Sequence, residues 1–396
     1  TYLTANNLVM TYNPQRAAGA GSTRAANAPT SVKTEKKDQA KIDAQAAKLP
    51  KGGADPRLSL PPIEKTKLSN GLEVWMVEQR ELPIVAMNLV LKTGQANEPD
   101  NKTGVAAGAT ALIDDGTKKR SAVDIANELQ AIGANMGTGS GWDSTGVTMQ
   151  TLTKNFDKAL DIFADVIQNP TFPEKEFESL KQRQLIGLRV QKSNPNAIAN
   201  TVYNKVLYGN HPYGRDNTEA TLKAITRDDV VSYYASTFKP NNGVLIVVGD
   251  YDRATMKSKL EAAFSDWKAG DVAARQLPAT SPLGSTGVYI VDRPNSAQSV
   301  VSVGQAGIDR ANPDYFPVVV MNSILGGAIT SRISMNLRED KGYTYGAGSG
   351  FQFRRGPGPF RAGGDMQTAV TKESIWELMK ELKGIRGDIP ITQKEL

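Results

Sequence analysis

The chain repeats one pattern, and this repeat constrains its fold more than any other feature of the sequence. LEVWMVEQRELPIVAMNLVLKTG at 72–94 has the form strand, turn, strand, and GVYIVDRPNSAQSVVSVGQAG at 287–307 has the same form. A helical segment interrupted or ended by glycine follows each of them. Such a repeat indicates homologous structural units. We therefore predict an α+β protein of two homologous domains, at 58–272 and 282–396, with the second one shorter and incomplete.

The first residues of the chain resemble the end of the first domain. YLTANNLVMTY at 2–12 matches TFKPNNGVLIVV at 237–248, and an Asn-Asn pair aligns in both. These residues are predicted to be the tail strand of a preceding unit in a longer tandem protein. Residues 13–57 are rich in Ala, Lys, Gly, Asn and Pro and have too few large apolar side chains to form a core. The segment 1–57 is thus predicted to be a tail plus a flexible linker.

Charge and composition exclude several classes of protein. The formal net charge is +6, but nine Lys/Arg against four Asp/Glu lie in residues 1–60, so the remainder is close to neutral and nucleic-acid binding is not expected. The chain has no cysteine, which excludes disulfides, thiolate nucleophiles and cysteine-bound metals within it. No apolar run approaches the roughly 18 residues that cross a bilayer, so no membrane span is expected. No signal peptide is visible either.

One predicted helix has a nearly featureless face. KTGVAAGATALIDDGT at 102–117 reads as a helix that Thr103 caps at the start and Gly116 ends. Ala107, Thr110 and Ala111 stand at i, i+3 and i+4, so they share one face. That face offers only methyl groups and one hydroxyl, and it therefore has no acid, base or metal ligand of its own.

Five separated motifs resemble a known family when they are taken in order. The chain is similar to the pitrilysin/insulinase-type zinc peptidases, and most of all to their bacterial and mitochondrial-processing-peptidase group. The likeness runs from about Leu60 to about Gly364. It implies a processing-peptidase-like metallohydrolase fold, with two halves of mainly antiparallel sheet flanked by helices, and two such units that close around a peptide chamber. The motifs are LSNGLEVWMVEQRELP, DDGTKKRSA, NPTFPEKEF, GNHPYGRDNTE and LREDKGYTYGAGS.

The resemblance places the featureless face at the zinc site of the family. There the active helix carries His-x-x-Glu-His, and these positions correspond to Ala107, Thr110 and Ala111. The third ligand, a Glu, would fall near Gly187 or Leu188, and no carboxylate occurs from 181 to 195. The chain has one histidine in all, so no two-histidine site can form within it. We expect no metal and no cofactor in this chain, and zinc in a partner unit.

Other chemistries find no support. His211 could serve a Ser-His-Asp triad, but no Gly-x-Ser-x-Gly elbow occurs, and phosphate-loop motifs are absent from the sequence. A histidine before proline in a turn usually makes local hydrogen bonds, and we predict that role for His211. Asp114 and Asp115 are adjacent at a helix end, where they diverge rather than form an acid–base pair.

The motif LREDKGYTYG retains two residues that matter in the family. The resemblance implies that one unit supplies zinc while Arg338 and Tyr343 of its partner contact the scissile carbonyl, where a guanidinium and a phenol stabilise an oxyanion. The alternative is local: Arg338 pairs with Glu339 or Asp340 on a surface helix and Tyr343 packs. The nearby ILGGAITSRI is predicted to end a helix with two glycines rather than to guide a substrate.

Two functions of different class remain open. In the first, the chain is a catalytically incomplete unit of a two-unit zinc metalloendopeptidase and is inactive alone. Its partners would be a homologous zinc-bearing unit, either a separate chain or one fused upstream, and a peptide substrate. In the second, it is a purely structural or peptide-binding homologue. The family likeness also implies a periplasmic or secreted location.

Overall fold

A computed structural model of the chain describes residues 8–11, 48, 53, 59–273, 276–280 and 283–396. The linker predicted at 13–57 lies outside these residues, apart from two single positions. The strands are β1 Leu8–Thr11, β2 Glu64–Lys67, β3 Glu73–Glu78, β4 Ile84–Leu91, β5 Asn135–Ser140, β6 Thr145–Leu152, β7 Gly243–Gly249, β8 Val288–Ile290, β9 Gln298–Ala306, β10 Thr344–Phe351 and β11 Pro359–Gln367. The longer helices are α1 Val105–Leu112, α2 Ala122–Ala131, α3 Phe156–Gln168, α4 Glu174–Gln191, α5 Pro195–Tyr208, α6 Glu219–Ala224, α7 Arg227–Thr237, α8 Arg253–Phe264, α9 Tyr315–Asn322 and α10 Thr371–Lys383.

Six strands form the first sheet, in the order β2-β3-β7-β4-β6-β5. β3 and β7 run parallel, and the other neighbours are antiparallel. In β4 the sequence IVAMNLVL alternates in burial, because successive side chains of a strand point to opposite faces. Its buried residues, from Val85 to Leu91, share one apolar core with buried residues of α1, α3, α7 and α8. The two predicted strands are confirmed as β3 and β4, and residues 79–83 connect them, but they are not neighbours in the sheet, because β7 lies between them.

Five strands form the second sheet, in the order β10-β11-β9-β1-β8. Its strands correspond one by one to β5-β6-β4-β7-β3 of the first sheet, and in each sheet a central strand lies parallel to one neighbour and antiparallel to the other. The predicted repeat and the α+β class are therefore confirmed. The domain boundaries themselves stay a prediction.

Helical turns at 315–340 cover the second sheet. The π-helix Ser323–Gly327 continues α9, and after a break at Ala328, with φ −125° and ψ 160°, the chain turns again through Arg332–Ser334 and the π-helix Met335–Asp340. Tyr315–Asp340 has the length and hydropathy of a membrane span, and 28% of its most apolar stretch of 18 residues is buried. Its backbone is not one continuous helix, and buried leucine and isoleucine side chains anchor it in the second core. The absence of a membrane span stays a prediction.

A seam of tyrosines joins the two halves. The hydroxyl groups of Tyr203 and Tyr208 on α5 donate hydrogen bonds to the backbone carbonyls of Phe360 and Pro357 in the second half. Phe360 lies near the start of β11 and Pro357 lies in the loop just before it, so the seam fixes α5 against the second sheet. Ala96 and Val300 pack in the same apolar cluster, so both halves contribute to it.

Candidate functional site

A buried carboxylate anchors the helix that corresponds to the zinc helix of the family. The backbone N–H groups of Gly104 and Ala106 donate to the two carboxylate oxygens of Glu98, at 3.0 and 2.8 Å. The predicted cap at Thr103 is wrong, because Gly104 occupies the N-cap position and Glu98 accepts from the first turn instead. The helix α1 also ends sooner than predicted, at Leu112, four residues before Gly116.

The three positions of the family's zinc motif form a methyl surface on α1. Ala107 and Ala111 stand where that motif has its two zinc ligands, and Thr110 stands where it has the glutamate that acts as general base. Ala107 is half-buried, Ala111 is exposed, and Thr110 is buried. The Thr110 hydroxyl donates to the carbonyl of Ala106 at 2.7 Å, so its hydrogen-bonding capacity is used inside the helix. In the described part of the chain, no group of three or more His, Cys, Asp or Glu side chains could hold a metal ion. The residues present therefore do not fit zinc.

The helix α4 lies beside α1, and its part from residue 181 onward has no carboxylate. A side chain at Gly187 would point into open space, and Leu188 packs against the first core. Ile186 and Val190 are 58% and 63% exposed, so apolar groups flank the position of the missing carboxylate. Burial raises the pKa of Asp115, which Glu176 raises further.

Arg338 and Tyr343 lie on either side of the turn between the π-helix Met335–Asp340 and the strand β10. The side chain of Arg338 is 31% exposed and its Nε lies 3.5 Å from Glu339. Tyr343 is half-buried against the second core, and its backbone N–H donates to the carbonyl of Leu337 at 2.9 Å, across a turn in which Gly342 has φ +63°. Both contacts of the local alternative are present. The catalytic role of the two residues stays a prediction.

The glycine pair nearby ends a helix, as predicted. The π-helix closes at Gly327. A Cβ atom at Gly326 would lie 2.3 Å from the backbone nitrogen of Ser349, so only glycine allows this turn to contact β10. Gly326 therefore has a packing role of its own.

Comparisons with known proteins agree with this geometry. The family model described as Insulinase (Peptidase family M16) matches residues 74–221, and the one described as Peptidase M16 inactive domain matches 224–396. The chain belongs to peptidase family M16. The boundary between the two matches falls inside the first structural half of this M16 chain, since α7 and β7 pack with the first sheet.

Named relatives of the chain include proteins described as zinc proteases. It is 28% identical to an uncharacterized zinc protease of Rickettsia felis, over 72% of this chain and 68% of the relative. It is 26% identical to the mitochondrial-processing peptidase subunit beta of Mus musculus, over 68% of this chain and 55% of that protein. The predicted resemblance to this family is confirmed.

Solved structures show the same fold. A structure described as the peptidase M16 inactive domain from Pseudomonas fluorescens superposes with a TM-score of 0.77 at 27% identity, covering 84% of this chain and 81% of that one. The periplasmic protease PqqL from Escherichia coli superposes with a TM-score of 0.69 at 18% identity, and the match covers 84% of this chain but 38% of PqqL. This M16 chain is therefore the size of one part of PqqL.

The histidine of this M16 chain has the local role that its sequence predicts. The backbone N–H of Tyr213 donates to Nδ1 of His211 at 3.0 Å, so Nε2 carries the proton and donates to the carbonyl of Pro278 at 3.1 Å. Burial lowers the pKa of His211. The side chain thus stays neutral and shapes the loop.

Sequence reasoning missed a polar network that explains the motif DDGTKKRSA. Asp165 on α3, 1% exposed in its side chain, accepts hydrogen bonds from Thr117 at 2.7 Å, Arg120 at 2.8 Å and Asn169 at 3.0 Å. Burial by itself would raise the pKa of Asp165, but these hydrogen bonds together lower it. The network fixes the loop after α1. Its only signal in the sequence was an acid, Asp165, on the apolar face of the predicted helix at 156–168, because Arg120 and Thr117 lie far from it along the chain.

A second missed feature is a buried cation at the seam. Arg354 is 7% exposed, and its guanidinium lies 4.8 Å from the ring centre of Trp142, 5.6 Å from that of Tyr208 and 4.6 Å from that of Tyr213. The hydroxyl of Tyr213 donates to Asp143 at 2.7 Å. Rings from the first half thus enclose a cation from the second half, which holds the two halves together.

Proposed function

We propose that this M16 chain is a catalytically incomplete unit of a two-unit zinc peptidase. It would close the peptide chamber and present Arg338 and Tyr343 to the zinc site of a partner. The observation that carries the proposal is the contrast between two sites: the helix α1 has methyl groups at every ligand position, whereas the Arg–Tyr turn is intact and partly exposed.

The chemistry of the two side chains suits an oxyanion. A guanidinium and a phenol donate hydrogen bonds where negative charge develops on the scissile carbonyl, and such donors act most strongly in a site that excludes water. The zinc of the partner would supply Lewis-acid activation of that carbonyl or of water. The Arg338–Glu339 pair is exposed and 3.5 Å long, so Arg338 can leave it at little cost.

A partner is part of this proposal. The match to PqqL, in which a chain of this size is only a part, supports a second unit that is either fused or separate. We propose a homologous His-x-x-Glu-His unit and a peptide substrate as partners, and a periplasmic or secreted location. The coding sequence upstream of Thr1 is the first place to look for that unit.

The competing function is a structural or peptide-binding unit without a role in catalysis. The contacts of Arg338 with Glu339 and of Tyr343 with the second core favour it. The test is peptide cleavage by the zinc-bearing unit alone, by this chain alone and by the mixture. We expect activity in the mixture only. Equal activity of the zinc-bearing unit without this chain would favour the structural function.

A further inference from the structure

The second sheet is completed by a strand from the far end of the chain. In β1, Val9 pairs in parallel with Val288 of β8 and in antiparallel with Val303 of β9. In the first sheet the same place belongs to β7, where Leu245 lies between Val74 and Leu89. The first sheet thus takes this strand from its own half of the chain. The second sheet takes it from residues 8–11, and the whole first half lies between those residues and the rest of the second half in sequence.

The strand β8 depends on this insertion. In the described strand order, β8 stands at the end of the sheet with β1 as its neighbour. Val288 and Ile290 are 63% and 62% exposed, so little side-chain packing holds β8 to the fold. Without β1, the three residues of β8 would lose their hydrogen-bonded neighbour in the described sheet.

The strand β9 needs a hydrogen-bonded neighbour even more than β8 does. Residues 299–305 are buried, and Val301, Ser302 and Val303 have almost no exposed surface. Buried backbone N–H and C=O groups are costly when they lack partners, and an open strand edge pairs readily with any extended chain. The gap between β8 and β9 therefore needs an extended strand, and nothing in the ladder requires that strand to be covalently attached to β2.

We propose that the gap between β8 and β9 is a strand-accepting slot, and that residues 8–11 are an exchangeable occupant of it. The partner that fits is an extended segment with the sequence of residues 2–12, carried on another polypeptide. It runs parallel to β8 and antiparallel to β9, and it has no proline at its centre, because a central strand needs its backbone N–H groups. Backbone pairing recognises it, as in strand addition at sheet edges.

The test uses the full chain with Val9→Pro, which weakens the internal occupant, and Ala18→Pro as a matched control outside the strand. Hydrogen exchange should become about tenfold faster or more at the amides of 288–290 and 300–304 in Val9→Pro, and should not change in Ala18→Pro. A labelled peptide of residues 1–12 should then bind Val9→Pro saturably and restore protection. The same peptide with proline at position 9 should not bind.

In Val9→Pro, two results would overturn the proposal: unchanged exchange at β8 and β9, or faster exchange there without binding of the peptide. If Val9→Pro does not fold, a protease site placed within 13–57 of the wild-type chain allows residues 1–12 to be cut free after folding. The labelled peptide should then replace the cut strand, and its failure to enter would also overturn the proposal. A wild-type dimer that Val9→Pro cannot form would identify a second copy as a source of the strand and support the slot.

Discussion

The guanidinium of Arg338 lies 5.3 Å from the ring centre of Tyr345, a side chain that is 87% exposed on the edge strand β10. This contact holds the cation against an exposed ring rather than in the second core. An exposed cation–π contact of this kind contributes about 0.5–1 kcal/mol, so it orients Arg338 more than it stabilises the fold.

Replacing Tyr345 should therefore affect activity more than stability. In the complex with a zinc-bearing unit, we expect Tyr345→Ala to lower turnover severalfold, because Arg338 loses its orienting surface. Tyr345→Phe keeps the ring and should retain turnover. The melting temperature of the free chain should change little in both variants. Equal turnover in all three proteins would show that the stacking has no part in catalysis.

The network around Asp165 should be one of the main polar contributions to stability in the first half. Asp165→Ala removes the buried acceptor of Thr117 and Asn169, and a buried donor left without its partner costs about 1–3 kcal/mol. Arg120 keeps its ion pairs with Glu128 and Asp161, so its own charge stays compensated. Glu64→Ala breaks the exposed Arg253–Glu64 pair and should cost less than about 1 kcal/mol. Denaturant unfolding of both variants measures the difference. A small loss in Asp165→Ala would mean that the loop after α1 is fixed by packing alone.

The pH dependence of stability should reveal His211. Burial lowers its pKa in the fold, so the folded state favours the neutral imidazole. The contribution is complete above the unfolded pKa of about 6.5 and is lost as the pH falls through the lower folded value. His211→Asn keeps an acceptor for the N–H of Tyr213 but cannot titrate. The difference in unfolding free energy between the wild type and His211→Asn should therefore shrink from about pH 7 to pH 5. A constant difference would contradict this assignment.

The methyl surface on α1 predicts that the chain binds no stoichiometric zinc. The purified wild-type chain should hold far less than one zinc per molecule by metal analysis. Ala107→His with Ala111→His places two imidazoles at i, i+4 on an accessible face, an arrangement that binds zinc on helices of this type. That double variant should bind zinc measurably in a titration, but weakly, because it still lacks the third protein ligand that catalytic zinc sites have. Tightly held stoichiometric zinc in the wild type would contradict the proposed absence of a site.

Local patterns and the repeat made much of the fold predictable. The two strands within 73–91 and the glycine pair that ends a helix at Gly327 follow from periodicity and from glycine, and the two sheets confirm the repeat. Features assembled from distant residues were not predictable in this way. The cap on α1 comes from Glu98 rather than from the adjacent Thr103, because a loop brings its carboxylate back to the helix.

In the candidate site, too, local features were predictable from the sequence and contacts between distant residues were not. The census of histidines in the sequence excluded a two-histidine zinc site, and the structure adds that Thr110 is internally bonded. The enclosure of Arg354 by rings of Trp142 and Tyr213 needed the structure, because these residues lie far apart in sequence and no motif connects them. The Arg–Tyr turn was visible in the sequence only through the family resemblance.

The central claim is that Arg338 and Tyr343 act in a partner's zinc site, and turnover of the two-unit complex tests it most directly. Arg338→Lys keeps the charge but loses the planar fork, and Tyr343→Phe removes one hydroxyl. Each lost oxyanion donor usually lowers turnover on the order of 10²–10³-fold, or about 2.7–4 kcal/mol. Association with the partner and substrate affinity should change far less, since the ground-state carbonyl uses these donors weakly. The account predicts that large loss in an intact complex. Wild-type turnover in an intact complex that carries both substitutions would contradict it.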